Sequence, residues 1–218
     1  MKKILEKVSY IVIVAGIITA TTFYYAENFY HKMVEEDGPF ETLTALVLLL
    51  ISILFIIRIT KQRKSRNTHW IVLGVIIAIG TFFGFGEEIS WGQRIFGIHA
   101  GEYFMQHNLQ GETNLHNLEI GGVKLNKLIF SQGLVLIFGT YFVLGLILYR
   151  RWSFFKKQVD LWGLPIPQFK HTVIMLVCTG IILVVPDPKI WELWEAIFAA
   201  ILLLVFLDPY NQEEKLMN

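Results

Sequence analysis

The sequence predicts an all-α fold: a polytopic transmembrane helix bundle of about six spans, with both termini cytoplasmic, forming one integral membrane domain over residues 1–218. Three observations carry that expectation. The chain is 54% hydrophobic and 14% aromatic, with a mean hydropathy of +0.52, outside the averages of water-soluble domains. Its apolar residues fall into runs near the roughly 20 residues that cross a bilayer. Its charges are sorted by sign along the chain.

The runs cover about 8–26, 40–59, 70–86, 128–149, 171–186 and 191–207. The last two are at the lower limit for spanning, and a buried or re-entrant hairpin around Pro186-Asp187-Pro188 stands beside the spanning reading. With the N-terminus inside, 14 of the 19 Lys and Arg residues fall on the inner side, among them Lys2, Arg58, Lys61, Arg66, Arg150 and Lys156. On the outer side lie 13 of the 18 acidic residues. The net charge of +1 hides this layout and gives no reason to expect nucleic-acid binding. The expected residence is a prokaryotic cytoplasmic membrane, with the lipid bilayer as the first partner and protein partners undefined.

Each element has local grounds. The first run ends in Tyr24-Tyr25-Ala26-Glu27 without a small-x-small site, so it reads as a retained helix rather than a cleaved signal. Asp37-Gly38-Pro39 suits a helix start, with Glu41 in the first turn. Gly80 and Gly84 in the third run are spaced for close helix approach. The six tryptophans fall near run ends, as interfacial anchors do. His69 and His171 sit beside inner basic clusters and read as anchors too. Mid-span polar groups are mostly hydroxyls, such as Thr19, Ser52, Thr81 and Thr140, which can bond their own helix. With no charge at span centres, proton-coupled or charge-selective transport is disfavoured, while a carrier for a neutral solute survives. Cys178 reads as a packing residue.

The polar outer segment, 87–126, holds five glutamates and three histidines between Glu87 and Glu119. If the third helix continued outward, Glu87, Ser90 and Arg94 would share a face. Two glutamates at a helix C-terminus oppose its dipole and call for Arg94, a metal ion, a proton or a histidine to neutralise them. Further along, Asn108, Gln110, Glu112, Asn114 and His116 alternate with other residues, so an extended chain would point all five one way. A helix capped by Thr113 is the other conformation. In either regular form Glu112 and His116 share a side.

Carboxylate plus imidazole serves both acid–base catalysis and divalent-metal ligation. Glu88, Glu112 and His116 are therefore the candidate catalytic residues and also the candidate ligands of a divalent metal. Arg94, Gln110, Asn114, Asn117, Glu41 and Glu192 are candidate substrate-binding residues. Glu87-Glu88 followed by Arg94 resembles the glutamate pair and arginine of the CPBP intramembrane proteases, relatives of the CAAX endopeptidases, which use glutamate and histidine to activate water. Arg94 lies six positions after Glu88 rather than four. Phe96 to His99 and Phe104 to His107 each enclose two residues where that family encloses three. No catalytic role is carried over from it.

The function expected is a membrane-embedded hydrolase or transferase acting at the outer boundary on a lipid, lipid-linked or peptide substrate. Two alternatives stand beside it. One is a binding or assembly subunit whose polar lid holds a lipid head group or a partner protein, and the other is a neutral-solute carrier. The bland reading of the segment is a loop whose polar side chains satisfy backbone groups near the hydrocarbon.

Overall fold

The computed structural model describes residues 2–35, 37–115, 117–124 and 133–211, without the side chains at 94, 123, 124, 134 and 135. His116, the start of the predicted fourth span and the last seven residues therefore lie outside the described residues. Among the described residues the regular structure is helical apart from a short hairpin. Among the described residues four helices are long and apolar enough to cross a membrane: α1 (Lys2–Thr22), α3 (Pro39–Gln62), α4 (Thr68–Glu88) and α10 (Ile190–Leu207). A short α2 (Glu27–Met33) follows α1. The helices α7 (Leu134–Arg151) and α9 (Phe169–Leu183) overlap the predicted fourth and fifth runs, and α8 (Ser153–Trp162) joins them on the way to the Pro-rich 163–168 turn. At 15 residues α9 is short for a full crossing.

α10 occupies the centre. Beyond Glu195 its sequence is apolar all round, which is the pattern of a helix buried on every face rather than along one stripe. Leu193, Ala196, Ile197, Ala200, Ile201 and Leu204 are all buried. α1, α3 and α9 pack around it. Gly16 makes the α1 crossing close: a Cβ there would lie 2.6 Å from Ile197 Cγ1. α3 and α4 pair extensively. The glycines that admit this pairing are Gly74, against Ile59, and Gly84, against Leu48, whereas a Cβ on Gly80 would meet nothing within 4 Å. The expected Gly80–Gly84 motif is thus replaced by a wider Gly74–Gly84 pair, because Gly80 faces away from α3. Ser52 also departs from expectation. Its hydroxyl donates across the interface to Ala78 O at 2.9 Å instead of to its own helix, while Thr81 bonds Ile77 O in its own turn.

Away from α10 the outer helices expose apolar stripes at helical spacing. On α4 these are Val72, Val75, Ile76, Ile79, Phe82 and Phe83, and on α1 Ile4, Ile11, Val14 and Ile18. Continuous exposed apolar surface of this kind suits hydrocarbon rather than water.

The two ends of the bundle differ in charge. Arg58 donates to Phe206 O at 2.7 Å, Arg150 to Tyr210 Oη at 3.0 Å, and Lys170 to Asp208 at 2.6 Å. These bonds gather the C-terminal ends of α3, α7 and α10 and the start of α9 at one basic end. His171 is buried there, closing a reciprocal cap with Gln168 at the start of α9 rather than acting as an interfacial anchor. Asp208 is partly buried, which on its own pushes its pKa up. The hydrogen bond and charge of Lys170 outweigh this and hold it below the usual carboxylate range. The first turns of α3 and α10 and the last turn of α4 form the opposite, acidic end.

Candidate functional site

At the acidic end, α4 stops at Glu88 and the chain turns sharply. Ser90, Trp91 and Gly92 take positive φ values of 46°, 54° and 76°. Two of the three carry side chains, which costs roughly 1–2 kcal/mol each against a right-handed conformation. The third helix therefore does not continue outward. Ser90 and Arg94 are separated from Glu87 by this reversal and do not extend its helical face. The chain then forms short helices α5 (Gln93–Phe96) and α6 (Glu102–His107), followed by turns and a hairpin, β1 (Glu119–Ile120) with β2 (Val123–Lys124).

The reversal is held by side chains from both directions. Glu87, buried at the helix end, accepts from Trp91 Nε1 at 2.8 Å and from the Leu115 amide at 2.6 Å. Ser90 Oγ donates to Glu112 Oε2 at 2.6 Å. The Asn114 amide donates to Ser90 Oγ at 3.0 Å and to Glu112 Oε2 at 2.9 Å. Asn114 Oδ1 in turn accepts from Asn108 Nδ2 and the Asn117 amide. Asn108 Oδ1 closes the loop by accepting from the amides of Gln110 and Glu112. Gln93 Oε1 takes the Thr113 amide at 2.7 Å. The tryptophan ring covers the helix end, and a Cβ on Gly86 would lie 2.8 Å from it.

The described residues of 108–117 thus form neither a continuous strand nor a helix. Gly111, at φ 66°, turns it, so the predicted one-sided stripe breaks up. Asn108, Glu112 and Asn114 face inward and are buried, while Gln110 is exposed and takes Asn117 Nδ2 on Oε1 at the surface. Thr113 caps no helix. The pairing of Glu112 with His116 lies outside the described residues, as does the Arg94 side chain.

A second group of acids lies beside this network. Glu88, next in sequence to Glu87, is within electrostatic reach of Glu195, Glu192 and Glu41. Glu195 likewise feels Glu192 and Glu41. Four carboxylates from α3, α4 and α10 therefore converge, three of them predicted candidates. Glu195 was visible in the sequence as the residue one turn beyond Glu192, on the same helical face. Helix polarity treats the four unequally. Glu41 and Glu192 stand in the first turns of α3 and α10, where the positive helix end favours a carboxylate, whereas Glu88 stands at the disfavoured C-terminus of α4. Glu41 accepts from the Asp37 amide at 2.5 Å, and both Glu41 and Glu192 have further partners. Among the described residues Glu88 and Glu195 have neither a hydrogen bond nor an ion pair.

These carboxylates are near neighbours without sharing a ligand sphere. Among the described residues no three His, Cys, Asp or Glu side chains stand close enough to hold a metal ion, whose oxygen or nitrogen ligands sit about 2.0–2.6 Å away. Glu88 and Glu112 in particular enter different groups. What the cluster can do chemically is accept, hold and return protons, or attract a cationic or hydroxyl-bearing group.

Together the fold and this site define a class: an all-helical protein with four helices able to cross a membrane and an acidic cluster at one end of them. No protein-family model, curated protein or solved structure matches the chain.

Proposed function

We propose that the chain is a six-span integral membrane protein with both termini cytoplasmic, and that it catalyses hydrolysis or group transfer on a lipid, lipid-linked or peptide substrate at the outer boundary of a prokaryotic cytoplasmic membrane. The observation that carries the reading is the convergence of Glu41, Glu88, Glu192 and Glu195. Like charges brought together at a hydrocarbon boundary destabilise the fold unless protons, a cation or a substrate group moderate them, and such clusters are favoured places for acid–base work. In this reading Glu88 takes a proton from the attacking water or hydroxyl, and Glu195 returns one to the leaving group. Glu41 and Glu192, held by their own partners, set the local field.

Glu112 and Asn114 then serve to fasten the lid over the site, since their polar atoms are engaged within the network. Gln110, exposed at the lid edge, and the half-buried Asn117 bonded to it remain substrate-facing candidates. The roles of His116 and Arg94, and any divalent metal with them, rest on sequence alone.

The test is turnover of solubilised total membrane lipid by purified protein. Glu88→Gln and Glu195→Gln are each expected to lower it by about 100-fold or more, the range of a general acid or base. Full turnover by the double variant would remove the assignment. Orientation is checked separately by labelling Glu102→Cys and Arg63→Cys in intact cells with an impermeant thiol reagent, with reaction expected only at 102.

One observation favours a second reading, a non-catalytic assembly subunit. The lid exposes Ile95, Phe96, Ile98, Met105 and Leu109, an apolar surface suited to a partner protein or the membrane interface. A stoichiometric partner retained from native membranes, with no product formed, would select it.

A further inference from the structure

At the basic end, α1, α3, α4, α8 and α10 surround a cavity of about 690 Å³, within the range of about 300–1,000 Å³ typical of ligand sites. Its floor is apolar: Leu54 and Phe55 of α3 and Phe206 and Leu207 of α10 are all buried. Its rim is cationic. Arg58, Lys61, Arg66 and Lys156 line it, and among the described residues none of the four forms an ion pair. Lys2 also lines it, but Glu6 and Asp208 lie 3.9 Å and 3.7 Å from its ammonium. Among the described residues Asp160 is the one acid in the lining, and it already accepts from Tyr149 Oη at 2.7 Å.

The two arginines are held in place by neutral groups. Arg58 is anchored through one nitrogen on Phe206 O, at 2.7 Å, and lies over the Phe55 ring. Arg66 donates to Gln62 Oε1 at 3.2 Å and lies over Trp70. Each guanidinium keeps donors in hand, and a planar fork of donors suits phosphate oxygens. Four unneutralised cations around one concavity repel one another, and an anion seated among them would relieve that repulsion.

We propose that this cavity binds the phosphate headgroup of an anionic phospholipid, with its acyl chains laid along the apolar walls of α3 and α4. The lipid is favoured over a free anion because the floor is hydrocarbon-like and belongs to helices with spanning length. Basic pockets between membrane helices are the usual seats of acidic headgroups. The site lies at the opposite end of the bundle from the carboxylate cluster, and it stands whether or not that cluster is catalytic.

The test uses the full chain in neutral detergent micelles doped with phosphatidylglycerol, with phosphatidylcholine, or with inorganic phosphate alone, reading lipid retention and the unfolding midpoint. Phosphatidylglycerol is expected to raise the midpoint by about 5 °C, with the other two near zero. The double variant K61Q/K156Q, at exposed positions, should weaken phosphatidylglycerol binding about tenfold, and Arg66→Gln alone about threefold. The control K64Q/K157Q removes the same charge outside the cavity and should leave binding unchanged. Equal weakening in both double variants would show diffuse surface attraction and overturn the proposal. So would binding that survives K61Q/K156Q and Arg66→Gln, or stabilisation by inorganic phosphate as strong as by the lipid.

Discussion

Glu87 and Glu88 are adjacent, share the end of α4 and face the same unfavourable helix dipole, yet they live in opposite surroundings. Glu87 is met by an indole N–H and a backbone amide. Glu88 is met by other carboxylates. The left-handed corner at Ser90–Gly92 produces the difference, because it folds the lid back over one side of the helix end and leaves the other side turned toward α3 and α10. A buried charge surrounded by donors is a structural fastening. One surrounded by its own kind destabilises the fold and calls for a use.

The comparison breaks most visibly at Asn114. Asn114→Ala removes two donated and two accepted bonds within the buried network, and about 3–4 kcal/mol of stability should be lost. Thermal unfolding in detergent measures the loss, and hydrogen exchange at the Glu112 and Thr113 amides should rise with it. Next comes the neighbouring pair. Glu87→Gln turns one acceptor into a donor facing an N–H and should cost about 2 kcal/mol. Glu88→Gln should be neutral or stabilising by up to about 1 kcal/mol, since it removes one of several like charges. Equal losses at the two positions would erase the distinction. Gly86→Ala, which presses a methyl against the Trp91 ring at 2.8 Å, should cost about 1–2 kcal/mol.

The smallest effect is at the far end. Asp208 is held below its ordinary range with Lys170 as the stabilising partner, so its contribution is present above the unfolded-state value of about 3.9 and is lost as pH falls through the lower folded value. The unfolding midpoint should therefore fall on acidification below about pH 4, and Lys170→Met should flatten that part of the profile. Both side chains are partly exposed, which keeps the change small.

The four helices able to cross a membrane were legible because hydrocarbon length and side-chain polarity act locally: α3 and α4 begin and end within a few residues of the predicted runs. The position of Glu41, Glu88 and Glu192 at helix ends was legible for the same reason. The lid was not. Its form depends on three successive left-handed residues, two of them Ser90 and Trp91, for which no local preference exists. Groups from later in the chain, Glu112, Asn114 and the Leu115 amide among them, help to hold that corner. The Gly80–Gly84 expectation failed because spacing identifies a face but not which neighbour that face meets.

The central position of α10 carries a consequence for biogenesis. α1 and α3 leave the ribosome well before the helix on which they pack. During synthesis their inward faces, including the notch at Gly16, must wait for the helix that fills them. Assembly then proceeds from the outside inward, with the hub installed after its spokes.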